Sequence, residues 1–260
     1  MIEFLERRIL GALRLQDVVT GLALQRPLQL ESDQLVLKRN RQGDYVIFDV
    51  LDPADLHAHT NEFVNLPTVP SVESILIDLL VRDNLGEYLP RRYTLRLPRD
   101  LNPQSSSAVV KPVVIPLYRS PSARVEANWA VIRATLTNQA TEQRLPWALI
   151  KVVRNSTTTL AMSDWRGEAL IAVPGIPITT WAGGVGAVLA TEVDARLDVV
   201  FDSKLQAFPL LDTGQNSNLT YIPNPDLLNS TALGLRRGSR TGYKLAASRD
   251  RPDVIAIDLS

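Results

Sequence analysis

Short apolar stretches separated by turn-forming residues are the dominant feature of the sequence. From Leu10 onward, stretches of four to eight residues rich in Val, Ile, Leu, Thr and Tyr alternate with Gly, Pro, Asn and Asp. Stretches of this length are typical of β-strands, because amphipathic helices usually run longer. The predicted strands are residues 13–18, 28–31, 35–38, 45–48, 74–81, 92–97, 129–136, 148–153, 159–163, 168–174, 188–193, 195–200 and 254–259. The chain is therefore predicted to be all-β.

The spacing of these strands predicts two tandem β-sandwich modules of the transthyretin or immunoglobulin type. Each half contains roughly seven strands with turns every 8–12 residues, which is the spacing of a sandwich. Four prolines and three consecutive serines between residues 100 and 121 suit an extended linker. The predicted organisation is an N-terminal arm at 1–12, a first β-sandwich at 13–100, a Pro/Ser-rich extended linker at 101–121, a second β-sandwich at 122–205 and a long irregular C-terminal extension at 206–260.

The two predicted modules repeat one order of features. In the first, a strand and a polar turn at 17–21 precede Pro27, a further strand and a glycine turn around Gly43. In the second, a strand and a polar turn at 138–142 precede Pro146, a further strand and a glycine turn around Gly167. Repetition of this kind predicts an internal duplication.

The residues of these turns resemble a known family. Asp17-Val18-Val19-Thr20-Gly21 with Pro27, followed by Asn40-Arg41-Gln42-Gly43-Asp44-Tyr45, is similar to the carboxypeptidase regulatory-like (transthyretin-like) β-sandwich module. Ser163-Asp164-Trp165-Arg166-Gly167-Glu168-Ala169 looks like a second copy of the same turn. The first copy has Asn40 where the pattern has Asp, and the second lacks the Thr-Gly pair. The resemblance implies non-catalytic modules that act as rigid spacers, adhesive units or parts of larger assemblies.

The whole arrangement is also similar to one kind of assembly protein. A pair of such modules without Cys, with an apolar N-terminal arm and a long irregular C-terminal segment, resembles accessory structural subunits of phage-tail-like contractile injection systems. This resemblance implies a subunit that joins its neighbours through sandwich edges and extended termini.

Composition narrows the classes of function. Lys and Arg total 28 and Asp and Glu total 28, so the formal net charge is +0, which excludes a broadly basic nucleic-acid binder. The absence of Cys excludes disulfides, thiolate zinc sites, iron–sulfur clusters and a Cys nucleophile. The first 15 residues carry acidic residues within their apolar stretch, unlike a signal peptide, so we expect a cytoplasmic protein.

Chemistry-bearing residues are few. The two histidines, His57 and His59, are spaced so that both would face one side of an extended strand, where Asp55 or Glu62 would complete a metal site. The alternative is a polar loop without metal. No Gly-x-Ser-x-Gly motif and no phosphate-binding glycine loop is present. We therefore predict no catalytic residue, no cofactor and no metal.

Three segments are the candidate partner-binding residues. Phe4, Leu5 and Ile9 fall on one face of an amphipathic arm that packs on its own domain or in a partner groove. Arg236, Arg237 and Arg240 form a local basic stretch, for which an acidic partner subunit is favoured over phosphate or an anionic membrane. Val254, Ile255 and Ile257 belong to a terminal strand that would extend a sheet edge, its own or that of another subunit.

These features predict a non-enzymatic structural subunit of a large cytosolic assembly, with other protein subunits, or copies of itself, as partners. The alternative is a receptor- or glycan-binding adhesin that presents the loops at 52–61 and 155–159. Among the four tryptophans, Trp165 is the best candidate for an exposed contact because it lies on a turn. An enzyme that uses His57 and His59 with a metal is the third possibility.

Overall fold

The structure is a computed structural model that describes residues 9–51, 75–97, 99–100, 102–126, 129–155, 157–175, 178–180, 188–190, 192–202, 235–246 and 252–259. Within these ranges the backbone forms strands, turns and bends and contains no helix, which confirms the all-β prediction. No helix long and apolar enough to cross a membrane occurs in this part of the chain.

The described residues form a series of short strands. In chain order these are β1 Gly11–Asp17, β2 Gln29–Glu31, β3 Leu35–Arg39, β4 Tyr45–Val50, β5 Ile75–Arg82, β6 Arg91–Leu97, β7 Val113–Leu117, β8 Ala130–Asn138, β9 Leu149–Arg154, β10 Thr157–Met162, β11 Glu168–Val173, β12 Ile178–Thr180, β13 Val188–Ala190, β14 Glu192–Asp202, β15 Leu235–Ala246 and β16 Pro252–Ile257.

The chain divides into two compact modules. The first consists of Met1–Asp17, Leu22–Asn84 and Pro90–Leu117, and its described strands form the sheets β3-β4-β1-β7 and β2-β5-β6. The second consists of Val18–Gly21, Leu85–Leu89 and Tyr118–Ser260, and its sheets have the orders β11-β8-β16 and β10-β9-β14-β15. The strands β12 and β13 form a separate two-stranded hairpin.

The strand pairings confirm the predicted internal repeat. In the first module, Leu13 of β1 lies opposite Tyr45 of the antiparallel strand β4 and opposite Val113 of the parallel strand β7. In the second module, β8 occupies the position of β1: it pairs antiparallel with β11 and parallel with β16. Each module is thus completed by a parallel strand that comes last in its own sequence.

One strand differs between the modules. The third strand of the first module, β3, pairs with β4, whereas its counterpart β10 pairs with β9 and so belongs to the other sheet. The β9–β10 pair closes tightly at Arg154 and Thr157, with Asn155 in the left-handed region at φ 50°. A tight turn of this kind keeps six residues of β10 beside β9. The counterpart of β9, β2, is only three residues long and pairs with β5.

The turn before β4 depends on a side-chain cap. Oδ1 of Asn40 accepts hydrogen bonds from the backbone N–H groups of Gln42 and Asp44, both at 2.9 Å. The N–H of Asn40 in turn donates to the carbonyl of Asp44 at 2.8 Å. Gly43 has φ 93°, a conformation that side chains rarely adopt. An Asx cap followed by glycine therefore fixes the reversal of the chain.

The turn before β11 is built in the same way. Oδ1 of Asp164 accepts hydrogen bonds from the N–H groups of Arg166 at 2.8 Å and Glu168 at 2.9 Å. Gly167 has φ 77°, and the N–H of Asp164 donates to the carbonyl of Glu168 at 2.7 Å. The structure therefore confirms that these two sequence segments form equivalent turns, with Asn40 and Asp164 in equivalent roles.

The second module has a continuous core between its two sheets. Every second residue along β8, β11 and β16 belongs to this core, as expected when one face of each strand points inward. In β11 the residues between them are buried as well. The core cluster comprises Ala130, Ile132, Ala134, Leu136, Leu145, Ala148, Ile150, Val152, Ala161, Ala169, Ile171, Val173, Ala195, Leu197, Val199, Ile255 and Ile257. The first module shows the same alternation, with buried Leu13, Leu15, Ile47, Ile77, Leu79, Val81, Leu95, Leu97, Ile115 and Leu117.

Three predicted boundaries differ from the structure. Strand β7 lies within the range 101–121 that was predicted as an extended linker, because Ile115 and Leu117 are fully buried. Strands β15 and β16 lie within the predicted irregular extension at 206–260, because each pairs with a strand of the second module. The predicted arm at 1–12 also overlaps β1, which begins at Gly11.

Candidate interaction surface

Strands β15 and β16 are edge strands of the second module. Within the described residues, β15 pairs only with β14 and β16 pairs only with β8. Each therefore has one side on which its backbone N–H and carbonyl groups alternate without a described neighbouring strand. Such edges are the places where a further strand adds to a sheet.

The basic stretch predicted from the sequence lies on β15. Arg237 lies opposite Val200 of β14, and Arg240 lies opposite Leu197. Both arginines are exposed, and Arg236 occupies the adjacent register position opposite Phe201. A register shift between Ala195 and Leu197 places an extra residue in β15 beyond Arg240. The first six residues of β15 therefore contain three arginines.

The terminal strand predicted from the sequence is β16, and its three candidate residues have two different roles. Ile255 and Ile257 are fully buried members of the core, so these two side chains support the module itself. Val254 directly precedes Ile255, belongs to the opposite face of the strand and is 64% exposed. Of the three, only Val254 contributes a surface side chain. The strand therefore adds to an edge of its own chain, one of the two outcomes that the sequence left open.

Two acidic residues lie at either end of the apolar residues of this strand. Asp253 lies at the register position opposite Ala134, and Asp258 directly follows β16 and is exposed. The sequence analysis did not include them among the candidate residues. The sequence contains a pattern that could have identified them, because Asp253 and Asp258 lie directly before and after the apolar run 254–257. The segment 252–258 therefore contains two acidic residues, whereas β15 contains only basic charged residues.

The two edges lie against each other at one point. A Cβ placed on Gly238 of β15 would overlap the side chain of Ile257 and the backbone carbonyl of Asp258. Only a residue without a side chain fits there. The edges of the two sheets therefore lie on the same side of the sandwich.

An exposed valine recurs at the equivalent position of the first module. Val114 of β7 lies opposite Arg14 of β1 and is 43% exposed, and Val254 lies opposite Thr135 of β8. Because β7 and β16 are the equivalent closing strands, both modules carry an apolar side chain on the outer face of the edge strand. The sequence analysis did not identify Val114, since it assigned that segment to the linker.

The arm residues are only partly described. Ile9 is exposed, whereas the next residue, Leu10, is buried and its N–H donates to the carbonyl of Ile47 at 2.9 Å. Leu10 therefore already follows the pairing of β1 with β4. Phe4 and Leu5 lie outside the described residues.

The candidate metal ligands cannot be placed either, because His57 and His59 lie outside the described residues, as does the rest of the range 52–74. In the residues that are described, no three His, Asp or Glu side chains are grouped closely enough to hold a metal ion.

Trp165 is 37% exposed at the turn before β11, as expected from its position in the sequence. The guanidinium of Arg166 lies 5.6 Å from the centre of its ring, a distance suited to a cation–π contact. Arg166 also forms ion pairs with Asp164 at 3.0 Å and with Glu168 at 2.7 Å. The turn therefore presents an ordered aromatic side chain beside a neutralised cation.

Both sheets of the second module are also covered on their outer faces. Leu170 and Ala172 of β11 pack with Trp129 and Ala123, and the Arg119 guanidinium lies 4.8 Å from the centre of the Trp129 ring. On the other sheet, the outer cluster comprises Leu89, Tyr118, Trp147, Leu149 and Met162, with Val18 and Leu160 against it. These residues cover part of the outer face of each sheet within the described residues.

The charged pairs of the first module are structural. Arg14 donates to both carboxylate oxygens of Asp44 at 2.8 Å, and this hydrogen bonding raises the pKa of Arg14. Arg26 forms a second bidentate pair with Asp83, with one contact at 2.6 Å. Burial lowers the pKa of Arg99. Arginine stays protonated at physiological pH, so none of these groups provides acid–base chemistry.

The fold and its exposed edges define a tandem β-sandwich protein. No protein-family model matches the sequence, and no curated protein matches it. Among solved structures, a mutant of the shaft pilin spaA from Lactobacillus rhamnosus GG is similar at 10% identity and a TM-score of 0.22. The alignment covers 71% of this chain and 62% of the pilin chain. A TM-score this low carries no argument about this protein, so its function is argued from its own residues.

Proposed function

We propose that this protein is a non-enzymatic structural subunit of a larger protein assembly. The observation that carries the proposal is the pair of edge strands β15 and β16, which lie on the same side of the second module and carry opposite charge. Main-chain hydrogen bonding at a sheet edge supplies affinity, and the charges select the partner. A subunit that works in this way needs no catalytic group, cofactor or metal.

The closing strands of the two modules support a structural role. Each sandwich is closed by a strand that contributes fully buried residues, Leu117 in the first module and Ile255 in the second. Rigid modules of this kind hold surfaces at fixed positions, which suits a carboxypeptidase regulatory-like spacer. The proposed partners are other protein subunits, copies of this chain included, and the proposed location is the cytoplasm.

The assembly that we propose is a contractile injection system or another phage-tail-like particle. The support is the tandem arrangement of two Cys-free sandwiches together with a long C-terminal region, of which β15 and β16 complete the second module. Genes for sheath, tube or baseplate proteins beside the gene for this chain would support this assignment, and their absence would count against it.

Sedimentation from the native host tests the structural role. The full chain is expected to migrate with a high-mass particle, and exchange of Arg237 and Arg240 for Glu is expected to shift it to the low-mass fractions. The matched control replaces Arg92 and Arg96 of β6, the counterpart of β15 in the first module, because both are also exposed. A wild-type chain found only in low-mass fractions would contradict the proposal.

A second candidate function is a receptor- or glycan-binding adhesin, and the Trp165 turn is the observation that favours it. An exposed tryptophan held beside Arg166 is typical of a binding hot spot. Exchange of Trp165 for Ala would then abolish saturable ligand binding while the thermal unfolding midpoint stays unchanged. Binding by the wild-type chain that the Ala variant retains would exclude this site.

A further inference from the structure

We infer that two hairpin tips from the first half of the chain stabilise the second module and make its unfolding depend on the first. The tips are Val18–Gly21, directly after β1, and Leu85–Leu89, between β5 and β6. Both belong to the second module, although the strands before and after each of them belong to the first. The inference goes beyond the proposed function, because it concerns how the chain is held together and not what it binds.

Each tip is attached at both ends to paired backbone of the first module. Beside the first tip, the N–H of Asp17 donates to the carbonyl of Leu22 at 3.0 Å. Beside the second tip, Val81 of β5 lies opposite Arg91 of β6. Because both ends are fixed in this way, a tip leaves its position only when its stem bends or loses its pairing. The placement of the tips therefore depends on the folded first module.

The second tip is held by the backbone of the chain that follows β7. The N–H of Leu89 donates to the carbonyl of Tyr118 at 2.9 Å, and the N–H of Ser120 donates to the carbonyl of Glu87 at 2.8 Å. The hydroxyl of Ser120 also donates to the carbonyl of Gly86. These three hydrogen bonds fix the tip in an antiparallel arrangement.

Both tips cover apolar side chains on the outer face of one sheet of the second module. Leu89 is 7% exposed, and Val18 packs against the same cluster. The other buried members of this cluster are Tyr118, Trp147, Leu149 and Met162. Apolar surface is stabilising only while it is removed from water. Loss of the tips would expose this cluster, so the module would lose stability although its inner core is unchanged.

The first tip also covers the other sheet. Val19 packs against a cluster that comprises Ala123, Trp129, Val131, Leu170 and Ala172. The adjacent residues Val18 and Val19 thus pack against clusters on the two different sheets. Withdrawal of this one tip would expose apolar side chains on both sheets at once.

The backbone of Trp147 indicates the same dependence. Its φ is 57°, in the left-handed region that bulky residues rarely adopt. Such a conformation persists only where the surrounding structure holds it. Trp147 is 4% exposed, and Leu89 is one of the buried residues of its cluster. The second tip therefore helps to hold a strained residue in place.

Tryptophan fluorescence of the full chain tests the dependence, because all four tryptophans lie in the range Tyr118–Ser260 of the second module. Ile77→Ala removes a fully buried side chain from β5 of the first module. It is expected to lower the urea midpoint of the tryptophan signal by at least about 0.5 M. The matched control is Val114→Ala in the same module, which changes an exposed side chain and is expected to keep the wild-type midpoint.

Far-UV circular dichroism provides the second signal, because it reports the strands of both modules. The two signals are expected to give one midpoint in the wild type and to move together in Ile77→Ala. Ile77→Val is a milder change that serves the same purpose if the Ala variant does not fold. A tryptophan midpoint that stays at the wild-type value while the circular dichroism transition moves or splits would overturn the inference.

A combined variant tests whether the tips carry the dependence. Val18→Ala and Leu89→Ala together remove the tip side chains that pack against the Trp147 cluster. This pair is expected to lower the tryptophan midpoint, and adding Ile77→Ala is expected to lower it further by less than the same substitution does in the wild type. An effect of Ile77→Ala that keeps its full size in this background would show that the tips do not link the modules.

Discussion

Gly238 of β15 lies against Ile257 of β16, at the point where the edges of the two sheets meet. In the single chain, this contact sets the distance between β15 and β16 at the point where they meet. In the proposed assembly, it places a basic and an acidic edge side by side on the same side of the second module.

Replacing Gly238 with Ala is expected to destabilise the protein. The added Cβ overlaps the side chain of Ile257 and the backbone carbonyl of Asp258, so the strands must move apart. Overpacking of this kind typically costs about 1–3 kcal/mol of unfolding free energy. Urea unfolding of the full chain measures the change. The control is Gly11→Ala, whose Cβ meets mainly the flexible Arg99 side chain; an equal loss in both variants would argue against a special contact at Gly238.

Neighbouring residues of β16 are expected to differ sharply in their effect on stability. Ile255→Ala removes a fully buried core side chain and is expected to cost about 2–5 kcal/mol. Val254→Ala changes an exposed position and is expected to stay within about 0.5 kcal/mol of the wild type. Chemical denaturation measures both. Equal effects at the two positions would contradict the placement of β16 in the second module.

The two equivalent turns are expected to respond alike. Asn40→Ala and Asp164→Ala each remove the acceptor of two backbone N–H groups, so each is expected to cost about 1–2 kcal/mol. Asn40→Asp retains the capping oxygen and is expected to keep most of the stability. If both Ala variants unfolded at the wild-type urea midpoint, the caps would have no role in the fold.

Two ion pairs of the first module are expected to contribute unequally. The Asp83 side chain is 1% exposed and that of its partner Arg26 is 28% exposed, so Asp83→Ala is expected to cost about 2–4 kcal/mol. Asp78 and Arg92 lie 3.3 Å apart with 49% and 47% of their side chains exposed, so Asp78→Ala is expected to cost less than about 1 kcal/mol. Urea unfolding of both variants provides the comparison, and the reverse order would contradict the assigned burial.

Local patterns in the sequence predicted much of this fold. The strands β1, β4 and β8 have alternating or continuous apolar residues bounded by turn residues, and the glycine turns at Gly43 and Gly167 follow from the need for positive φ. The internal repeat was visible because these turns recur in the same order. What the sequence predicted well is therefore what is determined within about ten residues along the chain.

Other features depend on distant residues or interrupted patterns. Pro116 interrupts the alternation of apolar and polar residues in β7, so the sequence pattern did not predict this strand. Proline is tolerated there because β7 is an edge strand, which does not need every backbone N–H group for pairing. The glycines and arginines of β15 do not form an apolar strand pattern, so the sequence did not predict this strand. Its strand conformation comes from pairing with β14. The parallel pairing of β16 with β8 joins residues more than 100 positions apart, and no local pattern encodes a contact of that range.

The candidate surface was predicted in part. The sequence indicated Arg237, Arg240 and Val254, which are exposed, but it also included Ile255 and Ile257, which are buried. When a strand extends a sheet edge of its own chain, one face of the strand packs into the core. Every second side chain is then buried and cannot contact a partner. Which residues these are depends on the register with β8, which the sequence does not specify.

Sedimentation of the chain from its native host tests the central claim most directly, because a structural subunit must occur in a particle far heavier than one chain. The full chain is followed through a density gradient of the host lysate. The account predicts that the wild-type chain migrates in the high-mass fractions. A wild-type chain confined to fractions of its own mass would contradict the structural role.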